Sequence, residues 1–443
     1  MFNYITVLSN WLIGYEKYSK RYSKNNIKFS TYPNEFYILK ENELDIGLNK
    51  AKRLIEKLNS DNSLILNNNK IIRIESNLNE NIVNKNNRNN LGWVINQNWI
   101  PVSNIYIYEN EKWIKKTIEE ITALAYRLNY KDFKKYSELK PRSLSILPVA
   151  KACQADCKFC FSESSISFEQ KRSTVDFKNL IQVCKAAKSK GAERFVITGG
   201  GEPTLIKEED LIKIIKIAKT YFDKVILISN GLFLSEQSEE VILDKIKQLI
   251  DAGLSVLSIS YHHYDFEINS IIMGKKIKTD YLLDILKKNN INNKLTIRLI
   301  CVLQKEGISN QNEIKKYIEY AITKKVNQIC FKELYVSSTE ESLYAGQEQN
   351  KYSEENQISL SILTDFLDNT SNKFYELPWG SPVYKYKGII DIAAYTEPSV
   401  GWERINGIAR SWNIMADGKC FVSLEDINSI MEIKDELWKF FNL

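Results

Sequence analysis

From Leu144 onward, short apolar runs alternate with amphipathic helical segments, and this alternation limits the possible folds more than any other feature of the sequence. The runs predict six strands, at residues 144–149, 194–198, 224–229, 255–260, 295–303 and 327–334. The segments between them predict helices near residues 178–190, 208–221, 239–251, 279–289 and 312–324. Strands that are apolar on both faces and separated by helices form parallel sheets covered by helices. We therefore expect an α/β fold with a partial (β/α)6 barrel, because a full barrel needs two more strands and the alternation fades after residue 340.

The chain has 443 residues, enough for two or three packed units, and we place the barrel at residues 141–340. Residues 1–140 predict a small N-terminal accessory α+β domain that could recognise a peptide. Within it the patterns predict helices at 44–58 and 114–128, strands at 63–74 and 105–108, and a polar loop at 77–90. Residues 130–143 are predicted to be a linker. Residues 341–443 are predicted to be an extension that closes the barrel or contacts substrate, with a helix at 352–369.

Charge and hydropathy exclude several classes of protein. The 61 Lys and Arg residues exceed the 55 Asp and Glu residues by only six, without a basic cluster, so no nucleic-acid partner is expected. No apolar stretch reaches 18 residues and the first residues lack the features of a signal peptide, so we expect no membrane partner. Seven cysteines are too few for a disulfide scaffold and favour a reducing, cytoplasmic setting.

Three of these cysteines are clustered directly after the first predicted barrel strand. Cys153, Cys157 and Cys160 are spaced C-x3-C-x2-C, at the strand end where such barrels build their active sites. Three thiolates suit an iron–sulfur cluster, which normally takes four ligands, so that one iron would stay open to another molecule. Structural zinc is the main alternative, but it needs four ligands, and the two histidines lie about a hundred residues away.

The cysteine pattern, with Phe159 before the third cysteine, resembles the signature of the radical S-adenosylmethionine (SAM) superfamily. The segment FVITGGGEPTL, at the end of the second predicted strand, places Gly200, Gly201 and Glu202 where that family has a Gly-Gly-Glu segment. Glycines there would let the backbone approach a ligand closely. The resemblance covers about residues 144–335 and implies two cofactors, a [4Fe–4S] cluster held by the three cysteines and SAM bound beside it.

Weaker matches to the same family follow along the chain. Asn230 lies in a polar turn after the third strand, although an ordinary Asn-Gly turn explains it equally well. Ser258 and Ser260 project to one face of the fourth strand, where they would reach the ribose of SAM. Arg298 interrupts an apolar strand and would hold the SAM carboxylate, with a salt bridge inside the barrel as the alternative. With Phe159 and the Gly-Gly-Glu segment, these are the predicted cofactor-binding residues.

The resemblance also implies a reaction. One electron, from a donor such as flavodoxin or ferredoxin, would cleave SAM to a 5′-deoxyadenosyl radical that abstracts hydrogen from the substrate. We expect a small metabolite (a sugar, nucleoside or amino acid), because Cys420 is the only cysteine after residue 340 and no auxiliary cluster is expected. The alternatives are maturation of a ribosomally made peptide through the N-terminal domain and a non-enzymatic iron–sulfur electron carrier or sensor. In the second of these the GGGEP segment would have no purpose.

Both histidines of the chain follow the fourth predicted strand. His262 and His263, with Tyr261, Tyr264 and Asp265, are expected to form a polar cluster at the catalytic rim. Such a cluster could transfer protons or bind the substrate, and a hydrogen-bonded loop pair is the alternative. We predict that His262 or His263 is catalytic and contacts the substrate rather than SAM.

Overall fold

The structure, a computed structural model, describes residues 2–8, 36–39, 44–60, 70–76, 92–95, 98–101, 103–117, 134–169, 174–336, 348–398 and 400–431. The chain divides into two compact units, Met1–Lys135 with Ser399–Gly407, and Tyr136–Pro398 with Ile408–Leu443. Among the described helices, none combines the length and the apolar character needed to cross a membrane.

The first unit is built on a five-stranded antiparallel sheet with the order β2-β1-β3-β6-β7. Its elements are β1 (Phe2–Leu8), β2 (Phe36–Leu39), α1 (Leu44–Ser60), β3 (Lys70–Ser76), β4 (Gly92–Ile95), β5 (Asn98–Pro101), β6 (Asn104–Glu109) and β7 (Lys112–Lys116). Helix α1 packs Leu48 and Ala51 against Ile5 and Ile71 of the sheet, while β4 and β5 form a separate hairpin.

The strand expected at 105–108 and the helix expected at 44–58 are confirmed, but part of the second predicted helix is wrong. Ile114 lies in β7, because Asn110 and Glu111 both have positive φ and form the tight turn that reverses the chain after β6. Of the predicted strand region 63–74, residues 70–74 lie in β3. Residues 63–69, the loop at 77–90 and residues 118–128 of that helix lie outside the described residues.

In the second unit six parallel strands pair in chain order, as the alternation predicts. The elements up to the sixth strand are β8 (Lys140–Pro141), β9 (Ser143–Ile146), α2 (Phe177–Ser189), β10 (Arg194–Ile197), α3 (Glu208–Tyr221), β11 (Lys224–Ser229), α4 (Leu232–Ser235), α5 (Glu239–Ala252), β12 (Val256–Ser260), α6 (Phe266–Met273), α7 (Thr279–Lys288), β13 (Thr296–Leu303), α8 (Gln311–Thr323) and β14 (Gln328–Glu333). The predicted fold class is confirmed. The predicted linker at 130–143 contains β8 and the start of β9.

The segment after the sixth strand contributes two further parallel strands, one at each edge of the barrel sheet. Its elements are α9 (Glu348–Asn356), α10 (Ser361–Thr370), β15 (Ser371–Glu376), β16 (Pro382–Tyr386), β17 (Ile390–Tyr395), α11 (Val400–Asn406, in the first unit), β18 (Ile408–Ala409), β19 (Trp412–Ile414), β20 (Cys420–Phe421) and β21 (Ile430–Met431). Strand β17 pairs in parallel with β14, and β19 pairs in parallel with β9. The single helix predicted at 352–369 is two helices, α9 and α10.

The two faces of the barrel strands differ in character. Leu257 and Ile259 of β12, with Leu299 of β13, point outward into the core under the helices. Because side chains alternate along a strand, Ser258 and Arg298 point the other way, to the face that we call the inner wall. An apolar outer face and a partly polar inner wall indicate that chemistry takes place inside the barrel.

Among the described residues the barrel is closed by side chains where strand pairing is missing. Strands β17 and β19 do not pair with each other. Glu397, which follows β17, forms an ion pair with Arg410, which precedes β19. The same carboxylate lies 3.1 Å from Lys332 Nζ of β14 and accepts a hydrogen bond of 3.0 Å from the Tyr395 hydroxyl. We call this group of four residues the seam.

Replacing Glu397 by Gln should lower the free energy of unfolding by about 2 kcal/mol, because two partly buried cations lose their shared carboxylate. The Glu397 side chain is 14% exposed, so the loss should be smaller than for a fully buried pair. Urea denaturation measures this difference. The control is Glu239→Gln, which removes an exposed pair with Lys288 and should cost at most about 1 kcal/mol. Equal losses in the two variants would show that the seam contributes no more than a surface pair.

Candidate cofactor site

The three clustered cysteines lie on residues 147–160, the cysteine loop, which leaves the carboxyl end of β9. This loop is docked on the turn after β10 by backbone hydrogen bonds. The carbonyl of Val149 accepts from the N–H groups of Gly200 and Gly201, both at 3.1 Å, and the carbonyl of Ala152 accepts from Glu202 N–H at 2.8 Å. Two motifs about forty residues apart in sequence therefore form one structure.

The glycines of this turn are required by the packing of the chain on itself. A Cβ at Gly200 would lie 2.2 Å from the carbonyl oxygen of Ala150, and a Cβ at Gly201 would lie 2.1 Å from that of Ala152. Both distances are far below van der Waals contact. The sequence predicts glycines that let a ligand approach, and the structure adds that the cysteine loop itself already occupies the space of a side chain.

Glu202 joins the ends of two neighbouring strands. Its Oε2 accepts from Asn230 N–H at 2.8 Å, and its Oε1 accepts from the backbone N–H and hydroxyl of Thr204 at 3.2 and 2.7 Å. Burial raises the pKa of this carboxyl, while these hydrogen bonds lower it. Both carboxylate oxygens thus have partners within the chain, so Glu202 orients the turns around the cysteines.

Asn230 connects the end of β11 to the first cysteine. Its Nδ2 lies 3.8 Å from Cys153 Sγ and 3.3 Å from Gln154 Oε1, and its Oδ1 accepts from Leu232 N–H at 2.9 Å. Gly231 has φ +82°, as an Asn-Gly turn requires. Asn230 therefore lies in an Asn-Gly turn and also contacts the thiol of Cys153.

Helix α6 supports the cysteine loop from the other side and is absent from the sequence prediction. The Met273 carbonyl, at the end of α6, accepts from Asp156 N–H at 2.9 Å and lies 3.7 Å from Cys157 Sγ. The helix begins at the capping side chain of Asp265 and ends at Gly274, whose φ is +61°. An Asp and a Gly that bracket an apolar run are start and stop signals, so this helix could have been predicted.

The thiols of the cysteine loop are free and chemically suited to a metal cluster. Burial raises the pKa of Cys153 and of Cys157, and neighbouring thiolates raise both further. Within the described residues, no three His, Cys, Asp or Glu side chains are grouped closely enough to hold one metal ion. Structural zinc needs four ligands, whereas three cysteines leave one iron of a [4Fe–4S] group open, so the number of thiols suits the iron–sulfur group better.

His262 is the predicted rim residue that reaches the cysteine loop. Its ring lies edge-on to the ring of Phe159, with 5.0 Å between centroids. Its Nδ1 accepts from Val302 N–H at 3.1 Å, which places the proton of the neutral imidazole on Nε2. Burial lowers the pKa of His262 to about 3, so the ring is neutral at physiological pH.

The other members of the predicted rim cluster do not share this surface. Tyr261 lies in the core under the helices, and Tyr264 donates a 2.6 Å hydrogen bond to Glu313 of α8. His263 Nδ1 accepts from Asp265 N–H at 2.9 Å, and its Nε2 lies 3.6 Å from Glu313. The five residues therefore do not form one cluster: His262 reaches the cysteine loop and Tyr261 lies in the core, whereas His263 and Tyr264 stack on each other beside Glu313.

The inner wall carries the remaining predicted residues. Ser258 is buried, and its Oγ has no hydrogen-bond partner in the described part of the chain. It lies in register with Arg298, whose Nε and Nη2 donate to Gln328 Oε1 at 3.1 and 2.8 Å. Ser260 is half-buried at the carboxyl end of β12. Because an unpaired buried hydroxyl is costly, Ser258 is equipped to receive a polar ligand.

A comparison with known families identifies this arrangement. Residues 147–327 match the model of the Radical SAM superfamily. The barrel with its cysteine loop is therefore a radical SAM domain. Members of this family bind a [4Fe–4S] cluster and SAM, so the match confirms the predicted radical SAM domain and agrees with the predicted enzyme class and cofactors.

Two relatives are similar to part of this chain. GTP 3′,8-cyclase of Campylobacter jejuni (strain RM1221) is 29% identical over 186 residues, which are 42% of this chain and 53% of the relative. GTP 3′,8-cyclase of Sulfurovum sp. (strain NBC37-1) is 28% identical over 179 residues, 40% of this chain and 51% of the relative. The matched region thus spans about half the length of these relatives.

One solved structure that matches this chain is Streptococcus suis SuiB bound to S-adenosylmethionine. It is 17% identical, with a TM-score of 0.44, and the match covers 74% of this chain and 72% of that chain.

Replacing Gly201 by Ala should reduce the iron bound per chain after anaerobic reconstitution to less than half of the wild-type value. The added Cβ would overlap the Ala152 carbonyl and displace the backbone next to Cys153. The control is Gly191→Ala, at a positive φ but with no atom within 4 Å of the new Cβ, which should lose stability and keep its iron. Wild-type iron content in Gly201→Ala would show that this close contact does not position the cysteines.

Proposed function

We propose that this radical SAM enzyme abstracts hydrogen from a small metabolite, such as a sugar, a nucleoside or an amino acid. The observation that carries the proposal is the docking of the cysteine loop, with its three free thiols, on the glycine turn, together with an unpaired hydroxyl, Ser258 Oγ, on the inner wall. This combination provides for a metal cluster at the carboxyl ends of the strands and for a polar ligand on the wall of the barrel.

The proposed metal ligands are Cys153, Cys157 and Cys160. When bound, a [4Fe–4S] cluster supplies the electron that cleaves SAM to methionine and a 5′-deoxyadenosyl radical. The chain's own residues hold the cysteine loop in place: Asn230 contacts the first cysteine, and the end of α6 contacts the second. The electron reaches the cluster from an external one-electron donor, such as a flavodoxin or a ferredoxin.

The proposed SAM site runs from the glycine turn to the inner wall. Gly200 and Gly201 lie directly against the cysteine loop, to which Phe159 belongs. Ser258 and Ser260 lie on the inner-wall face of β12, where the Ser258 hydroxyl needs a partner. Arg298 is proposed for the SAM carboxylate, since it bonds only the neutral amide of Gln328 and keeps Nη1 available.

The proposed contact to the substrate is His262. Its ring is fixed by Val302 and by Phe159 of the cysteine loop, and the Nε2–H donor has no hydrogen-bond partner among the described residues. A neutral donor suits a hydroxyl or carbonyl of a polar metabolite. His263, whose nitrogens face Asp265 and Glu313, is less suited to this role. Two relatives are named GTP 3′,8-cyclase, and GTP is a small molecule. These names support a metabolite as the substrate.

A ribosomally made peptide is the alternative substrate. The observation that favours it is the sheet of the first unit, which has its own core and ends at the edge strand β7. An edge strand can pair with an extended peptide. A peptide substrate would be converted only while this unit is present, whereas a metabolite would not need it.

Anaerobic reconstitution of the full chain should give about four irons per chain, and reduction with dithionite should then form 5′-deoxyadenosine from SAM. The Cys157→Ala variant should lose both the bound iron and the formation of 5′-deoxyadenosine. The matched control is Cys184→Ala, which removes another buried thiol, in the outer core, and should keep both. Iron content is read from absorbance and metal analysis, and 5′-deoxyadenosine by chromatography. A wild-type protein that binds zinc and forms no 5′-deoxyadenosine would contradict the proposed function.

His262→Ala should lose conversion of the substrate by at least tenfold, whereas His263→Ala should keep it, because only the first ring lies against the cysteine loop. The assay supplies a metabolite extract, SAM and dithionite to each iron-loaded variant. Mass spectrometry then follows those ions that the wild-type enzyme depletes. Equal depletion by His262→Ala and wild type would remove His262 from the site.

A further inference from the structure

Three cations lie on the inner wall, and two of them are at the amino-terminal ends of their strands, away from the cysteine loop. Arg194 is the first residue of β10, Lys224 is the first residue of β11, and Arg298 is the third residue of β13. Their neighbours Phe195, Val225, Ile297 and Leu299 lie in the outer core, so alternation turns the three cations inward. All three are half-buried.

These charges are not neutralised within the described part of the chain. Arg194 and Lys224 lie directly in register on neighbouring strands, yet neither side chain forms an ion pair or a hydrogen bond there. Arg298 is bonded to the neutral Gln328 amide alone. Like charges placed side by side on a sheet destabilise it. In agreement, burial and the charges of Arg298 and Arg194 lower the pKa of Lys224.

The acidic group that acts on this cluster is already engaged. Asp391 of β17 raises the pKa of Lys224, but its Oδ1 lies 2.6 Å from Lys385 Nζ and its Oδ2 accepts from Gln328 at 3.4 Å. A SAM carboxylate on Arg298, as proposed above, would neutralise one more charge. Arg194 and Lys224 would still be left without an anion.

We propose that Arg194 and Lys224 bind an oxyanion, the phosphate or carboxylate group of a ligand, inside the amino-terminal end of the barrel. A guanidinium offers paired N–H donors that match such a group, and the ammonium adds a second charge next to it. The anion is either part of the enzyme's substrate or a separate small ion. The proposal rests on the proposed function only in assigning Arg298 to the SAM carboxylate.

A binding site and a purely structural cluster differ in their response to losing one charge. Lys224→Gln relieves repulsion, so without an anion its unfolding temperature should equal or exceed that of the wild type, while its affinity for anions falls. A cluster that serves the fold would instead lose stability when Lys224 is replaced.

The experiment titrates the full chain with sodium diphosphate at constant ionic strength, followed by calorimetry and by the unfolding temperature. The wild type should bind saturably, and Lys224→Gln should bind at least tenfold more weakly, as should Arg194→Gln if the first variant is poorly folded. The control is Lys216→Gln, an exposed lysine of α3, which should bind like the wild type. Absence of saturable binding, or equal affinity in Lys224→Gln and Lys216→Gln, would overturn the proposal.

A second titration with GTP identifies the source of the anion. Binding of GTP more tightly than diphosphate, with both weakened by Lys224→Gln, indicates an anionic group carried by the substrate. Equal affinities indicate a separate small ion. Neither titration contains SAM or reductant, so a chain that binds diphosphate but fails to cleave SAM would contradict the proposed function alone.

Discussion

Three backbone hydrogen bonds, from Gly200, Gly201 and Glu202 to the cysteine loop, determine where every other group of the site can lie. They join segments that follow neighbouring parallel strands, so the loop is fixed to the sheet without any contribution from a ligand. The short distances to Ala150 and Ala152 leave no room for a side chain at either glycine. A cofactor therefore meets a surface that is already ordered and loses less freedom on binding.

The polar and charged groups that destabilise the barrel when they have no partner lie on one face of its sheet. The outer face is apolar and packs under helices, whereas the inner wall holds the unpaired Ser258 hydroxyl and the cations Arg194 and Lys224. The Cys157 thiol of the cysteine loop also resists ionisation, because burial raises its pKa. Groups that destabilise the fold when they have no partner are expected where ligands bind. Here these groups all face the interior of the barrel.

The sequence predicts the central barrel well because its signals are local. Each strand from β9 to β14 and the five longest helices between them show their own periodicity, whereas the shorter α4 and α6 do not, and the cysteine and glycine motifs are contiguous. Strand β19 has only three residues, and its pairing with β9 joins residues more than 260 positions apart, so no local pattern indicates it. The turn at Asn110 likewise decides that Ile114 is in a strand. By contrast, the outward position of Tyr261 follows from alternation with Ser260 and could have been predicted.

The seam gives the barrel one side that differs in kind from the others. Seven neighbouring pairs of parallel strands are joined by ladders of backbone hydrogen bonds, but β17 and β19 are joined through Glu397 and the cations Arg410 and Lys332. A partly buried ion pair such as this one is screened by dissolved ions less than a surface pair, so the contact persists in salt. Among the described residues this is nevertheless the side at which the barrel can open without the loss of a backbone hydrogen bond.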